Sequence, residues 1–184
     1  MPGFWRRRMR QGAERAAEGL GMTRDEIIKL FREMAKEHGY SCRDALAWRR
    51  FDELYGLVEL DRSRFGPFLN IWYGGTTAAM VTREKPPSVG YWGESEKAGT
   101  VPHRLRRLFT RIADCDPKLT AEKCREGLAV LFEEVTGRYQ DNAAYRAKLL
   151  EKWPDPADWG IVQDWAHGNV RAPSWYWPKT PYYK

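Results

Sequence analysis

Apolar residues near the start of the chain recur at intervals of three and four positions, which places them on one side of a helix. The residues on that side are Ile27, Leu30, Phe31 and Met34. Before them, Thr23 and Glu26 have the spacing of a capping box, in which the two residues satisfy each other's backbone amides. After them, Gly39 supplies the left-handed conformation that commonly ends a helix. The pattern predicts a helix over residues 23–38.

The chain then changes to short segments rich in β-branched and aromatic residues, which are typical of strands. Three of them are joined by links of two and six residues. Links this short favour antiparallel pairs, because parallel strands need longer crossovers. In the first segment Leu46 and Trp48 lie on one face, and the glycines of "YGGTT" predict a turn after the third. The predicted strands cover residues 45–51, 54–60 and 67–73, with a weaker one at 76–82.

Residues 83–101 predict a long loop, since a Pro-Pro pair and three glycines interrupt regular structure. Two aromatic residues within it, Tyr91 and Trp92, have two interpretations. They form a lid over a ligand, or they hold the loop against the core of the domain. Long loops in compact domains are often functional, so both residues are candidate binding residues.

Helical patterns return after the loop, and each has an identifiable beginning or end. The predicted helices cover residues 103–114, 120–137, 141–153 and 155–168, with Gly137 ending the second and Asp155 capping the last. The order of the predicted elements, in which one helix is followed by strands and then by further helices, predicts an α+β fold. We expect an N-terminal helix, an antiparallel β-meander of three to five strands, and C-terminal helices packed on one face of the sheet.

The chain ends in "VRAPSWYWPKTPYYK", which combines aromatic residues with prolines and cations and has no acid. Prolines keep such a segment extended. In one interpretation Trp175 and Trp177 anchor the segment on the domain as a strap, and in the other they contact nucleic-acid bases as an arm. The Trp-rich helices before the segment favour the strap. The predicted organisation is a basic N-terminal extension over residues 1–22, a single α+β domain over 23–168 and the strap over 169–184.

The formal net charge of +6 is concentrated in patches. Residues 1–22, 101–111 and 168–184 carry net charges of +3, +4 and +3, so the rest of the chain is net acidic. Such patches are typical of an anion-binding footprint, with solvated arginines on helix surfaces as the alternative. The candidate binding residues of the middle patch are His103, Arg104, Arg106 and Arg107, and Arg62 and Arg64 of a predicted hairpin are further candidates.

Residues able to carry catalysis do not form a recognisable motif in this sequence. The three cysteines are odd in number and lack C-x-x-C spacing, which predicts neither a disulfide framework nor a zinc site. No G-x-S-x-G or H-E-x-x-H motif occurs, and Cys124 lies on the apolar side of a predicted helix. The sequence therefore predicts no catalytic residue, no metal site and no cofactor. The acid pairs Asp114–Asp116 and Glu133–Glu134 leave a metal-dependent nuclease or another hydrolase as an alternative.

Several segments resemble a known bacterial family. The first predicted helix runs into "KEHGY", which is followed by "WRRFDELYGLVELDRSRFG" and the strand "FLNIWYG". With the later helices, these segments, over residues 23–73 and 103–136, resemble the family known as domain of unknown function 4304, which tends to carry Asn where Asn70 stands. The resemblance covers about half of the chain and implies an α+β fold but no reaction. Some small bacterial families of this kind resemble immunity partners of secreted toxins, and this chain differs from partners of nuclease toxins in being basic.

The sequence favours a non-catalytic binding protein of bacterial type that contacts a protein partner, since aromatic residues are enriched at protein interfaces. An immunity or regulatory role is the sharpest form of this hypothesis. One alternative is a nucleic-acid-binding accessory protein that uses the arginine patches and the aromatic residues, and the other is the hydrolase. The cysteine pattern and the lack of an apolar run of about 20 residues predict a cytoplasmic location without a transmembrane segment.

Overall fold

The computed structural model describes residues 21–63, 68–81, 94–98, 105–155 and 161–169. These ranges form an α+β fold, in which one helix precedes a five-stranded antiparallel sheet and further helices follow it, as predicted. In chain order the elements are α1 (Arg24–Glu37), β1 (Ser41–Arg43), β2 (Leu46–Phe51), β3 (Leu54–Arg62), β4 (Leu69–Thr77), a 3-10 helix (Ala78–Met80), β5 (Glu94–Lys97), α2 (Arg106–Ala113), α3 (Ala121–Tyr139), α4 (Asn142–Lys152) and α5 (Ile161–Ala166). Most of the predicted extension and all but the first residue of the predicted strap lie outside the described ranges.

Helix α1 begins and ends as the sequence predicts. The backbone amide and the hydroxyl of Thr23 both donate to the Glu26 carboxylate, at 2.7 and 2.8 Å, and the Glu26 amide donates to the Thr23 hydroxyl at 3.3 Å. At the other end, Gly39 has a φ angle of 75°, and the Tyr40 amide donates to the Ala35 carbonyl at 2.8 Å. These hydrogen bonds satisfy groups that the end of a helix would otherwise leave without partners.

The strands follow one another across the sheet in chain order, and each neighbouring pair is antiparallel. The predicted meander is therefore confirmed, with β1 as an additional strand. β5 lies inside residues 83–101, so the prediction of an uninterrupted loop there is wrong. Its sequence, "ESEK", has no alternation of apolar and polar residues and therefore gave no signal of a strand. A polar strand can still form at the edge of a sheet, where backbone hydrogen bonds to one neighbour hold it in place.

Strand β4 continues beyond its predicted end. The residues of "YGGTT", predicted to turn, belong to the strand, and Ala78–Met80 form a 3-10 helix. The separate strand predicted at 76–82 is therefore wrong. Gly75 of β4 pairs with Gly56 of β3, and the Tyr139 ring occupies the space that side chains at these two positions would need. Close packing, not a turn, is the reason for glycine here.

Helix α3 extends past the residue predicted to end it. Thr120 caps the helix as predicted, since its hydroxyl accepts from the Lys123 amide at 3.3 Å. Gly137 lies inside the helix, which continues to Tyr139, a fully buried side chain. Burial of a large apolar side chain stabilises by about 1.5–3 kcal/mol. This outweighs the cost of about 1 kcal/mol for glycine inside a helix.

The last two helices follow the predicted pattern where the structure describes them. The Asp141 side chain caps α4 by accepting from the Ala144 amide at 2.9 Å, and α4 ends before Pro154. α5 ends near Gly168, which has a φ angle of 81°. Residues 156–160, which follow the predicted cap Asp155, lie outside the described residues. No helix in the described part of the chain is long and apolar enough to cross a membrane.

Helices α1 and α3 pack together on one side of the sheet and form the main core. The Phe132 ring of α3 has its centroid 5.5 Å from that of Phe31 and 4.9 Å from that of Tyr40. Cys124 belongs to this core, as predicted. The strand residues buried in it include Leu54, Val58, Leu60, Ile71 and Tyr73.

Candidate binding surface

The sheet carries a second apolar cluster, separate from the main core. Leu46 and Leu57 are only 2% and 0% exposed, and Trp48, Tyr55 and Trp72 pack against them. Successive side chains of a strand point to opposite faces of the sheet. Because Val58, next to Leu57, belongs to the main core, this second cluster lies on the opposite face. We call its members Leu46, Trp48, Tyr55, Leu57 and Trp72 the aromatic face.

The strand register brings these side chains together. Trp48 of β2 lies directly opposite Leu57 of β3, and Trp72 of β4 lies opposite Glu59, two residues further along β3. Tyr55 lies two residues from Leu57 in the other direction and therefore on the same face. Opposed Cβ atoms are about 5 Å apart and diagonal neighbours about 7–8 Å. The three rings therefore surround Leu57.

The two leucines of the aromatic face are buried, whereas its three aromatic side chains are half-buried. Trp and Tyr combine a large apolar ring with one polar group, so they can contact apolar and polar neighbours together. For this reason they are enriched in protein interfaces. The aromatic face therefore has the composition of a binding surface.

Charged residues of both signs share this side of the sheet. The cations are Arg43, Arg50 and Lys97, and the acids are Glu59 and Asp61. The Lys97 ammonium nitrogen lies 5.8 Å from the centroid of the Trp72 ring. The two signs nearly balance, so the described residues of this surface supply no excess of the positive charge that binding to a phosphate backbone requires.

A polar cluster lies on the side of the main core, where β5 meets α3. The Tyr73 hydroxyl donates to Oε2 of Glu96 at 2.7 Å, and Nη1 of Arg138 donates to Oε1 of Glu96 at 3.0 Å. Nη2 of Arg138 is also 3.5 Å from Oε1 of Glu134. The Arg138 guanidinium carbon lies 5.5 Å from the centroid of the Tyr73 ring. One guanidinium and two carboxylates thus connect the edge strand to the helix layer.

The protonation states within the polar cluster follow from these contacts. Burial alone would raise the pKa of the Glu96 carboxyl, but the hydrogen bonds from Tyr73 and Arg138 outweigh it and lower the pKa below its usual value. Burial, the hydrogen bond to Glu96 and the nearby carboxylates raise the pKa of Tyr73. At neutral pH the phenol is therefore a neutral donor and the carboxylate an ionised acceptor.

We expect Glu96→Gln to remove a pH-dependent part of the stability. Because the folded pKa of Glu96 is lowered, its contribution is fully present above the unfolded value of about 4.5 and is lost as the pH falls through the folded pKa. The variant should therefore be less stable than the wild type at neutral pH. The difference in the free energy of unfolding should shrink as the pH falls below about 4.5. Urea unfolding across this range measures it.

The matched control for this experiment is Glu126→Gln. It breaks the Lys123–Glu126 ion pair, which has an N–O distance of 2.8 Å but lies at the surface, with both side chains about half exposed. Exposed pairs contribute little to stability, so this variant should unfold much like the wild type. A deficit of Glu96→Gln that stayed constant from neutral to acid pH would contradict the ionised pairing of Glu96.

The resolved pKa shifts do not indicate an acid–base catalyst. Such a catalyst needs a group whose pKa lies near the working pH. The pKa values of Glu96 and Asp116 are lowered, and burial raises those of Tyr40 and the Cys124 thiol to about 12. These shifts all move away from neutrality, and a buried neutral thiol is a poor nucleophile. In the described ranges no group of three or more His, Cys, Asp or Glu side chains could hold a metal ion.

Three of the ten sequence-predicted binding residues lie in the described ranges, and the structure does not bring them together on the aromatic face. Nη2 of Arg62 is 3.3 Å from Oδ1 of Asp25, so an ion pair already involves this cation. Arg106 and Arg107 are exposed in the first turn of α2, a helix whose buried residues belong to the main core. The other seven candidates lie outside the described residues: Arg64, Tyr91, Trp92, His103, Arg104, Trp175 and Trp177.

The aromatic face was not among the predicted binding residues, although part of its signal is in the sequence. The alternation in β2 places Leu46 and Trp48 on one face. In β4, however, the apolar run around Trp72 is nearly continuous, so alternation does not show which side of the sheet Trp72 occupies. Its place beside Leu57 depends on the β3–β4 register, which only the folded chain reveals.

Comparisons of the chain with family models, curated proteins and solved structures found no match. The resemblance to the family known as domain of unknown function 4304 therefore stays a prediction.

Proposed function

We propose that this protein is a non-catalytic binding protein and that its aromatic face contacts a protein partner. The observation that carries the proposal is the grouping of three half-buried rings, from Trp48, Tyr55 and Trp72, on the side of the sheet opposite the main core. An apolar centre with a mixed charged border is the common anatomy of a protein interface. Tyr and Trp also supply a large contact area at a low entropic cost.

The pairing of the arginines supports a protein partner over nucleic acid. A surface that binds nucleic acid needs cations that can reach phosphates. Many arginines of the described residues instead lie beside carboxylates of the same chain. These ion pairs are Arg62–Asp25, Arg111–Asp116, Arg125–Glu37, Arg138–Glu96 and Arg146–Glu53, with N–O distances of 2.7 to 3.3 Å.

For the biological role we propose immunity or regulation in the bacterial cytoplasm, a role that some small bacterial families of this kind resemble. A small protein that blocks or controls another protein needs a binding surface and no reaction of its own. The chain has a net charge of +6, which does not suit an inhibitor that imitates nucleic acid. The proposal therefore favours a partner that is not a nuclease.

Co-purification tests this proposal. The tagged full-length chain is expected to retain a product of a neighbouring gene after nuclease treatment. The complex should persist at about 0.5 M salt, because salt screens exposed charges but does not weaken apolar contacts. Repeated purifications without a reproducible protein partner would contradict the proposal.

A nucleic-acid-binding accessory role is the second candidate, and Arg107 favours it. This residue is exposed at the start of α2 and forms no ion pair with any residue that the structure describes. Under this alternative, nuclease treatment should abolish the co-purification, and the captured material should be lost at moderate salt. The same purification therefore decides between the two candidates.

A further inference from the structure

Arg49 carries a half-buried positive charge that forms no ion pair with any residue that the structure describes. Its Nη1 donates to the His38 carbonyl at 3.1 Å, and its guanidinium carbon lies 5.0 Å from the centroid of the Phe51 ring. Glu37, which precedes His38 in the chain, is already bound by Arg125 at 2.9 Å. A charge that is partly removed from water without a counterion costs free energy. This position therefore favours the binding of an anion.

The contacts of Arg49 restrict the orientation of its guanidinium and leave it accessible. The hydrogen bond to the His38 carbonyl and the packing on the Phe51 ring hold the planar group from two directions. Gly39 is exposed beside it, and a Cβ there would lie 3.6 Å from Nη1 and contact it. Glycine at this position therefore keeps a side chain away from the guanidinium. Within the described residues no Arg49 nitrogen is both buried and without a hydrogen-bond partner, so its remaining N–H groups can reach a ligand.

We infer that Arg49 binds a carboxylate that the protein partner supplies. A guanidinium held in one orientation matches the two oxygens of a carboxylate in a bidentate pair. One such group suits one carboxylate, whereas a nucleic-acid backbone is bound through several cations. The anion-binding site itself does not depend on a partner. The source of the carboxylate rests on the proposed function.

The site adjoins the aromatic face at the edge of the sheet. Arg49 follows Trp48 in β2, so its side chain points to the opposite side of the sheet. On that side, a Cβ at its cross-strand neighbour Gly56 would contact the main core. β1 pairs only with residues 46–48 of β2, so among the described strands none runs beside Arg49 on this edge. A partner that covers Trp48 can therefore extend round the edge and reach the guanidinium.

Titration of the isolated protein with sodium acetate tests the anion site without a partner. The readout is the nitrogen–proton NMR signal of the Arg49 Nε–Hε group, assigned by its absence in Arg49→Lys. At constant ionic strength we expect this signal to shift and to saturate, because acetate occupies a preformed site. The Arg32 signal is the control, since Arg32 is exposed on α1 and its Nε also donates to a backbone carbonyl, that of Asp44. It should shift weakly and without saturation.

The affinity for the captured protein tests whether the partner supplies the carboxylate. Arg49→Gln and Arg49→Lys should each weaken binding by about tenfold, since a charge-assisted pair contributes at least that order and lysine does not reproduce its bidentate geometry. Arg32→Gln is the matched control, because it removes the same charge from an exposed position. It should bind like the wild type. Circular dichroism and urea unfolding verify that each variant is folded at the temperature of the measurement.

Each outcome supports or overturns a defined part of the inference. An Arg49 signal that does not saturate with acetate would overturn the anion site, even if a partner is captured and the proposed function holds. Unchanged affinity of both Arg49 variants would overturn the partner's carboxylate as the ligand. Saturation by inorganic phosphate far below the acetate concentration, together with captured nucleic acid, would also contradict it. A saturating signal without any captured protein would keep the anion site and contradict the proposed function.

Discussion

Gly75→Ala is expected to lower the free energy of unfolding by about 1–3 kcal/mol, the usual cost of overpacking a core. A Cβ at Gly75 would lie 2.5 Å from Cζ and 2.7 Å from the hydroxyl oxygen of Tyr139. The ring has little room to move, because it is fully buried and packs edge-on against Tyr145 at a centroid distance of 5.0 Å. On its other side, a Cβ at Gly56 would lie 3.2 Å from Cδ2 of the same ring.

The same substitution at Gly137 is the control and is expected to have the opposite sign. Gly137 is exposed inside α3, and a Cβ there would meet no atom within 4 Å. Ala in place of Gly inside a helix stabilises by about 0.5–1 kcal/mol. Urea unfolding of both variants measures the difference. A destabilising Gly137→Ala would show that α3 ends there, and a neutral Gly75→Ala would show that the Tyr139 ring does not pack on β4.

Features that depend on residues close together in the sequence could be predicted. The Thr23–Glu26 capping box and the Asp141 cap join residues three apart, so their spacing is visible in the chain itself. The short links between strands also required the antiparallel meander. The order of the elements then led to the α+β fold class that the structure shows.

Features that depend on contacts between distant residues could not be predicted. β5 has no apolar pattern of its own and exists through its backbone pairing with β4. The paired glycines Gly56 and Gly75 suggest a weak strand or a turn until the Tyr139 ring is placed over them. A prediction from local propensity alone therefore placed the ends of β4 and α3 too early, because tertiary packing outweighs the local preference of glycine.

The residues of the candidate site could likewise be predicted only in part. Alternation in β2 identifies the face that Trp48 occupies, but the position of Trp72 depends on its cross-strand partner Glu59. The arginine patches suggested an anion-binding surface because their partners are invisible in the sequence. Arg62, for example, pairs with Asp25, which lies 37 residues earlier in the chain.

The double variant Trp48→Ala/Trp72→Ala is expected to weaken partner binding by about thirtyfold or more. Truncation of one buried Trp near the centre of an interface costs about 2 kcal/mol or more, which alone corresponds to about thirtyfold, so thirtyfold is the lower bound for the double variant. Both rings pack on the aromatic face and not in the main core, so the folded chain should persist with reduced stability. Circular dichroism and urea unfolding verify that the variant is folded at the temperature of the binding experiment.

The most direct test of the aromatic face as the binding surface is titration of the captured partner. It compares the wild type, the double variant and the control Trp153→Ala, which removes a ring packed against the main core. Calorimetry at two salt concentrations gives the dissociation constants. We expect the double variant to bind about thirtyfold more weakly or worse at both salt concentrations, and Trp153→Ala to bind like the wild type. An unchanged affinity of the folded double variant would contradict the account, because the partner would then contact another surface of the protein.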